Sequence, residues 1–308
     1  MKLDCSILVA LVPVFLVILS GYLFRRIRFP GESFWPDVER LTYFALFPCL
    51  LIQKTASASL DLATMGPMAK ALLFAVLAMA ALLIVSRSLW SLEPRSYTSF
   101  FQGGIRFNTY VGLSAAYALF GDRGLTLAAV ALAVLIPVIN VLCVGVLIGF
   151  AHHQKPRGRL LLTAVTQNPL ILACGLGILL NVSGIGLSPG VSDTLGIFGT
   201  AALPLGLLAV GAGLDMAAAR RAGKTVISNC AVKLIALPAL MWMAARLFQV
   251  ESTAAAVAVL FAALPGSGSS YILARQLGGD STLMASIVTV QILLSMVTLP
   301  AVMALMAG

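Results

Sequence analysis

What this sequence has least of is charge. Acidic and basic residues make up 10% of its 308 positions, against about 25% in a soluble domain. A soluble fold needs polar outer faces, and no stretch here supplies them, so a water-soluble globule is excluded. Histidine occurs twice, side by side at 152 and 153. With no other imidazole, and with nothing to bring Lys233 alongside, the serine-rich "GSGSS" at 266–270 lacks a base to activate a nucleophile. An enzyme is not expected. The five cysteines (5, 49, 143, 174 and 230) are odd in number and widely spaced. They fit neither zinc-ligand spacing nor a full disulfide framework and read as apolar filler. No metal and no cofactor is expected. No run of Lys and Arg tracks an aromatic series, so a net charge of +9 does not point to nucleic acid.

Apolar residues stand in place of charge, at 60% of the chain with a mean hydropathy of +1.02. They divide into ten segments, each near the ~20 residues that cross hydrocarbon: 5–24, 37–52, 66–86, 96–120, 124–150, 161–181, 193–213, 225–248, 253–276 and 281–306. The second is the weakest, because its clean part, "LTYFALFPCLLI" (41–52), is short and its start carries Asp37, Glu39 and Arg40. The first lacks a small-residue cleavage site and is followed, not preceded, by "RRIR" (25–28). It reads as a retained helix with its N-terminus outside. Assigning alternate connections to the cytoplasm puts thirteen Lys and Arg residues there. Five (Lys2, Lys54, Lys70, Arg123 and Arg246) fall outside, and Arg106 and Lys233 lie within spans. This asymmetry predicts a multi-pass protein of the inner (plasma) membrane with both termini outside the cytoplasm.

The chain also repeats itself at about half its length. "PVFLVILSG" (13–21) and "PLILACGLG" (169–177) each hold Pro and Gly eight residues apart, and the same offset takes Pro48 to Pro204. Gly121–Asp122 recurs as Gly279–Asp280. Five spans per half is an odd number, so the second half enters the bilayer from the opposite side, as in many secondary transporters. The predicted fold class is an all-α integral membrane protein with ten transmembrane helices in two inverted five-helix repeats. Residues 1–150 and 161–308 form the repeats, and a cytoplasmic loop, 151–160, joins them. The repeat lays "RFNTY" (106–110) over "LPGSG" (264–268). The fourth and ninth spans thereby carry matching breaker clusters: Gly103, Gly104 and Asn108 in one, Pro265, Gly266 and Gly268 in the other. Paired interruptions are the best sequence pointer to a transporter's binding site. Unwound backbone at membrane depth requires surrounding protein or a water-filled cavity, and half-helix N-termini there favour an anion.

Six stretches resemble the auxin efflux carrier family, within the bile acid:sodium symporter superfamily. They are "GGIRFNTYVGLSAAYALFGDRG" (103–124), "TQNPLILACGLGILLN" (166–181), "LPLGLLAVGAGLD" (203–215), "VKLIALPAL" (232–240), "LPGSGSSYILARQLGGD" (264–280) and "IVTVQILLSMVTLP" (287–300). The resemblance implies that helices 4 and 9 are broken and cross at their unwound middles, with an organic carboxylate bound beside the crossing. It further implies a scaffold part of helices 1, 2, 6 and 7 and a transport part of helices 3–5 and 8–10. Bacterial relatives are associated with small dicarboxylates such as malate or malonate, plant ones with auxin. One position departs from the family: the second proline of its helix-nine motif is replaced by Gly268, which loosens the backbone.

Arg106 sits mid-span, where a cation costs ~2.5–3.5 kcal/mol on insertion scales. It either sets the field of a substrate path or braces the crossing through helix carbonyls. Asn108 can cap a half-helix and donate to a carboxylate. Ser267, Ser269 and Ser270 can line the second break or bond their own backbone. Gln291 and Asn140 are mid-depth amides, suited to a pocket or to interhelical hydrogen bonds. Gln167 and Asn168 precede Pro169, where a turn role and a ligand role stand equal. Lys233 can snorkel to the cytoplasmic face or attract an anion, and His152 and His153 read as solvated loop residues. All eleven acids lie in loops or near span ends. No mid-membrane carboxylate is available for cation exchange, and the balance favours anions.

The sequence therefore predicts a secondary transporter moving a small organic anion (malate, malonate or an auxin-like acid) by alternating access. A channel or substrate sensor on the same fold, or a sodium-coupled symporter, is the alternative. The predicted substrate contacts are Gly104, Arg106, Asn108, Thr109, Pro265, Gly266, Ser267, Gly268, Ser269 and Gln291. The expected partners are the organic anion and the lipid bilayer, with no nucleic acid, and a homodimer is left open.

Overall fold

A computed structural model describes residues 5–57, 62–151 and 167–307, with backbone alone at residues 5, 6, 62, 63, 151 and 307. His152, His153, the rest of the predicted loop 151–160 and the start of the sixth predicted span (161–166) lie outside the described residues. The described chain is helical, without strands. Six of its helices are long and apolar enough to cross a membrane, or up to seven if one bent pair counts as a span.

Helix α1 (Cys5–Arg26) leads, its outer face carrying exposed Val9, Val12, Leu16 and Leu23, as a helix facing lipid does. The weak second segment resolves into α2 (Phe34–Leu41), a wide π turn (Thr42–Leu46) and α3 (Phe47–Ala56). Helix α4 (Leu62–Val85) follows. The fourth segment is cut: α5 (Pro94–Ile105) ends at a three-residue break, and α6 (Thr109–Val146) resumes after it. Helix α6 is itself interrupted at Gly121 (φ 59°, ψ −145°), a conformation open to glycine.

In the second half come α7 (Pro169–Val182), α8 (Pro189–Ala212) and the short α9 (Met216–Arg220). Next, α10 (Lys224–Ala231) runs through a further π turn (Val232–Ala236) into α11 (Leu237–Leu247). The ninth segment is cut like the fourth, into α12 (Ser252–Ala263) and α13 (Gly268–Gln276), bent by 50°. Helix α14 (Ser281–Ala307) closes the chain. Pro94, Pro169 and Pro189 open α5, α7 and α8, where their missing N–H costs nothing.

Packing divides the chain into two units that interleave along the sequence. The first takes the described residues of 1–66, 109–133 and 166–214. Here α1 lies against α8 so closely that a Cβ on Gly21 would strike the Leu208 carbonyl, and one on Gly211 the Ile18 carbonyl. Such small-residue contacts drive helix association where lipid removes the hydrophobic effect. The Arg25 guanidinium donates to the Ala212 carbonyl at the end of α8, which suits the negative end of a helix dipole. Helix α3 packs on α7, with Gly177 against Thr55 and Asn181 Nδ2 donating to the Ala56 carbonyl at 2.9 Å. Tyr110 stacks flat on Phe47, centroids 4.9 Å apart, and Lys54 pairs with Asp122 at 2.6 Å. Asn168 serves as the turn residue, its Oδ1 capping α7 through Leu170 N at 3.0 Å and Ile171 N at 3.3 Å; its Nδ2 donates to the Tyr43 hydroxyl at 3.1 Å.

The second unit takes the described residues of 67–108, 134–165 and 215–308 and contains both cut segments. Helix α14 runs against α5, α9, α10, α12 and α13. Fully buried Phe100, Phe101, Leu260 and Phe261 fill the spaces between helices. The turn before α14 is tied to α5: Ser96 Oγ donates to the Asp280 carboxylate at 2.8 Å, and Ser99 Oγ donates to its backbone carbonyl at 2.9 Å. These bonds anchor the start of α5.

Candidate functional site

The two breaks end their half-helices for different local reasons. Pro265 has no N–H and disfavours helical backbone at the residue before it; Leu264 accordingly turns extended (φ −63°, ψ 145°) and α12 stops at Ala263. No proline ends α5. Its last turn closes with the Arg106 N–H on the Gln102 carbonyl at 2.8 Å, and Arg106 then extends (φ −73°, ψ 154°). Gly103 and Gly104 serve tight packing, since a Cβ on Gly103 would meet Asn229 and Ile287, and one on Gly104 would meet Leu83.

The breaks are joined. Asn108 N–H donates to the Pro265 carbonyl at 2.8 Å, so each interruption satisfies part of the other. Gln291 of α14 completes the junction: its Oε1 accepts from Gly266 N–H at 2.7 Å, and its Nε2 donates to the Gly103 carbonyl at 3.0 Å and to Asn229 Oδ1 at 2.8 Å. Asn229 Nδ2 in turn donates to the Phe100 carbonyl at 2.6 Å. Backbone groups freed by the breaks thus find side-chain amides in place of water, as membrane depth requires. Phe107 packs edge-on to Phe261, centroids 5.4 Å apart, closing the apolar side.

The accessible side is positive. Arg106 is half-buried; its guanidinium donates to Asn140 Oδ1 at 3.2 Å and to Ser269 Oγ at 3.3 Å, and it makes no ion pair with a described residue. Ser267 caps α13, accepting from Ser269 N–H at 3.3 Å, and the two hydroxyls lie 3.0 Å apart. The Arg106 side chain therefore lies at the N-terminal turn of α13, where the helix dipole adds partial positive charge. Ser267 and Ser269 are half-exposed and Gly268 is exposed, so this turn is open on one face.

Of the predicted site residues, the structure brings Arg106, Asn108, Pro265, Gly266, Ser267, Gly268, Ser269 and Gln291 together in one unit. They separate by exposure. Asn108, Pro265, Gly266 and Gln291 are buried in the junction, while Arg106, Ser267, Gly268 and Ser269 reach its open face. Gly104 is buried packing, and Thr109, the first residue of α6, belongs to the other unit. Lys233 does not snorkel: it is fully buried, and its Nζ donates to the Ala262 carbonyl at 3.0 Å. Asn140 appears as the partner of Arg106. Asn229 was missed by sequence reasoning. Its spacing of one helical turn from Lys233 was the available signal, because two polar residues on one face of an otherwise apolar span share an interior direction. Among the described residues no three His, Cys, Asp or Glu side chains cluster as a metal site.

Membrane-length apolar helices, two of them interrupted and bonded to each other at the interruptions, describe a multi-pass membrane protein. Residues 158–303 match the family model described as Membrane transport protein, the auxin efflux carrier-like membrane transporters. The match covers just under half of the chain; members of that family are transporters and not enzymes. The matched stretch holds the second break, Asn229, Lys233 and Gln291, and it excludes the first break. No curated protein matches the chain.

Proposed function

We propose that this protein is a secondary carrier of a small organic anion, of the malate, malonate or auxin-like carboxylate class, working by alternating access in a plasma membrane. The carrying observation is a guanidinium without a carboxylate partner among the described residues, held at the open N-terminus of half-helix α13. A carboxylate there would accept from Arg106 in charge-assisted hydrogen bonds and from the Ser267 and Ser269 region of α13. Asn108, Gly266 and Gln291 keep that face in register by locking the two breaks.

The ten-helix inverted repeat is part of this reading. Helices α5 and α12 are each twelve residues long. Glu93 (φ −56°, ψ 150°) precedes the first and Glu251 (φ −56°, ψ 146°) the second, 158 positions apart. The helical stretches before them, Leu62–Val85 and Lys224–Leu247, both span 24 residues. Positive-φ glycines, Gly121 and Gly278, precede the closing run of each half. The continuous apolar stretch Pro94–Phe150 has 57 residues, about 85 Å if helical throughout. That is far more than one ~30 Å crossing needs, which supports two crossings turning at Gly121. The two packing units support a division into a scaffold part and a moving part.

The test is flux. Protein in liposomes should take up radiolabelled malate, malonate or indole-3-acetate at carrier rates, and Arg106→Gln should abolish it while leaving folded protein. Conductance far above carrier rates would favour a channel, and binding without flux a sensor.

A further inference from the structure

A half-helix that ends inside a membrane leaves carbonyl groups unpaired and about half a negative charge at its C-terminus. In secondary transporters such ends, with the unwound carbonyls beyond them, hold the coupling cation. The C-terminus of α12 is such an end, with Ala262 3% exposed and Ala263 1% exposed. Its Ala262 carbonyl accepts from the ammonium of Lys233, itself 0% exposed, at 3.0 Å. We infer that Lys233 is a tethered cation occupying the position of a coupling ion, so that this carrier loads without sodium at that end of the crossing.

Two further observations carry the assignment. Lys233 lies within the π turn Val232–Ala236. Such a turn inserts one residue and re-aims its neighbours, and insertions of this kind recur at functional sites. The companion end, that of α5, is treated differently: its carbonyls at Phe100 and Gly103 accept from the neutral amides of Asn229 and Gln291. A merely structural need for donors is thus met by neutral amides, one of which, Asn229, lies one turn from Lys233 on the same helical run. The use of a lysine in place of an amide at α12, with no ion pair to a described residue, marks that end as one suited to positive charge. The "sodium-free loading" part of this inference rests on the carrier reading; the charge requirement does not.

The experiment separates the two by using no substrate. Thermal midpoints of the purified, detergent-solubilised protein are compared in sodium chloride, choline chloride and propylammonium chloride at equal ionic strength. Wild type should give the same midpoint in all three. Lys233→Ala should lose about 5 °C or more in choline, and sodium or propylammonium, small enough to reach the vacated carbonyls, should restore at least half of the loss. Lys233→Arg should behave as wild type. A sodium-dependent midpoint in wild type would overturn the inference, because it would reveal an inorganic ion where the lysine is assigned. So would a Lys233→Ala midpoint blind to all three salts. If the alanine variant does not purify, Lys233→Met decides by the same comparison: a midpoint raised by sodium over choline upholds the need for charge, and one equal in both salts overturns it. Failure of every carboxylate to bind would leave these midpoints unchanged.

Discussion

The two breaks share a geometry and differ in chemistry. At the first, no residue forbids helix, yet α5 stops at Ile105 because the Asn108 N–H is taken by Pro265 and the Gly103 carbonyl by Gln291. At the second, Pro265 ends α12 by itself. The first break carries its cation, Arg106, on the open face. The second carries Lys233 buried behind the helix end. A shape that must occur twice can be specified once locally and once through tertiary bonds. The residues that specify it tertiarily are then the fragile ones, since each satisfies several groups at once.

This contrast predicts an order of sensitivity. Gln291→Leu should be the most damaging change, because it strips Gly266 N–H, the Gly103 carbonyl and Asn229 Oδ1 together. At about 1–3 kcal/mol for each buried group left unpaired, a loss of about 3 kcal/mol or more is expected in unfolding midpoints. Gly103→Ala should cost about 2 kcal/mol by the same measurement, as its methyl would sit 2.5 Å from Asn229 Oδ1 and 2.7 Å from Ile287 Cγ2. Pro265→Ala should cost about 1 kcal/mol or less, since the bonds from Asn108 N–H to the carbonyl of residue 265 and from Gly266 N–H to Gln291 still hold the backbone extended once the ring is gone. If the proline change proves worse than the glutamine change, the second break is not held as described and the contrast fails.

The sequence made the second break legible because Pro265 acts on the backbone directly; Gly103 and Gly104 marked the first by position, although they serve packing there. It made the cation at Arg106 legible for the same kind of reason: a charge in an apolar run must have a purpose. The roles of Asn229, Gln291 and Lys233 were harder to read. A mid-span amide can face lipid, a neighbour or a pocket, and the choice depends on helix rotation. For Lys233 that rotation is reset by a π turn that no residue pattern announces. The second segment looked weak because Asp37, Glu39 and Arg40 shorten its apolar part; the structure places these three in α2, ahead of a π turn at Thr42–Leu46. Gln291 was expected as a candidate substrate contact. All its described hydrogen bonds instead join the two broken helices, so its part in transport is proposed to be that of a brace.

The most direct measurement is carboxylate binding at the face between Arg106 and α13. Titrating purified wild type with malonate, malate and indole-3-acetate should give saturable binding of at least one of them. Arg106→Gln should weaken that binding about 100-fold, the equivalent of losing charge-assisted hydrogen bonds worth about 2.7 kcal/mol, with an unfolding midpoint close to wild type. Undiminished affinity in the folded variant, or saturable binding by none of the three in wild type, would contradict the account.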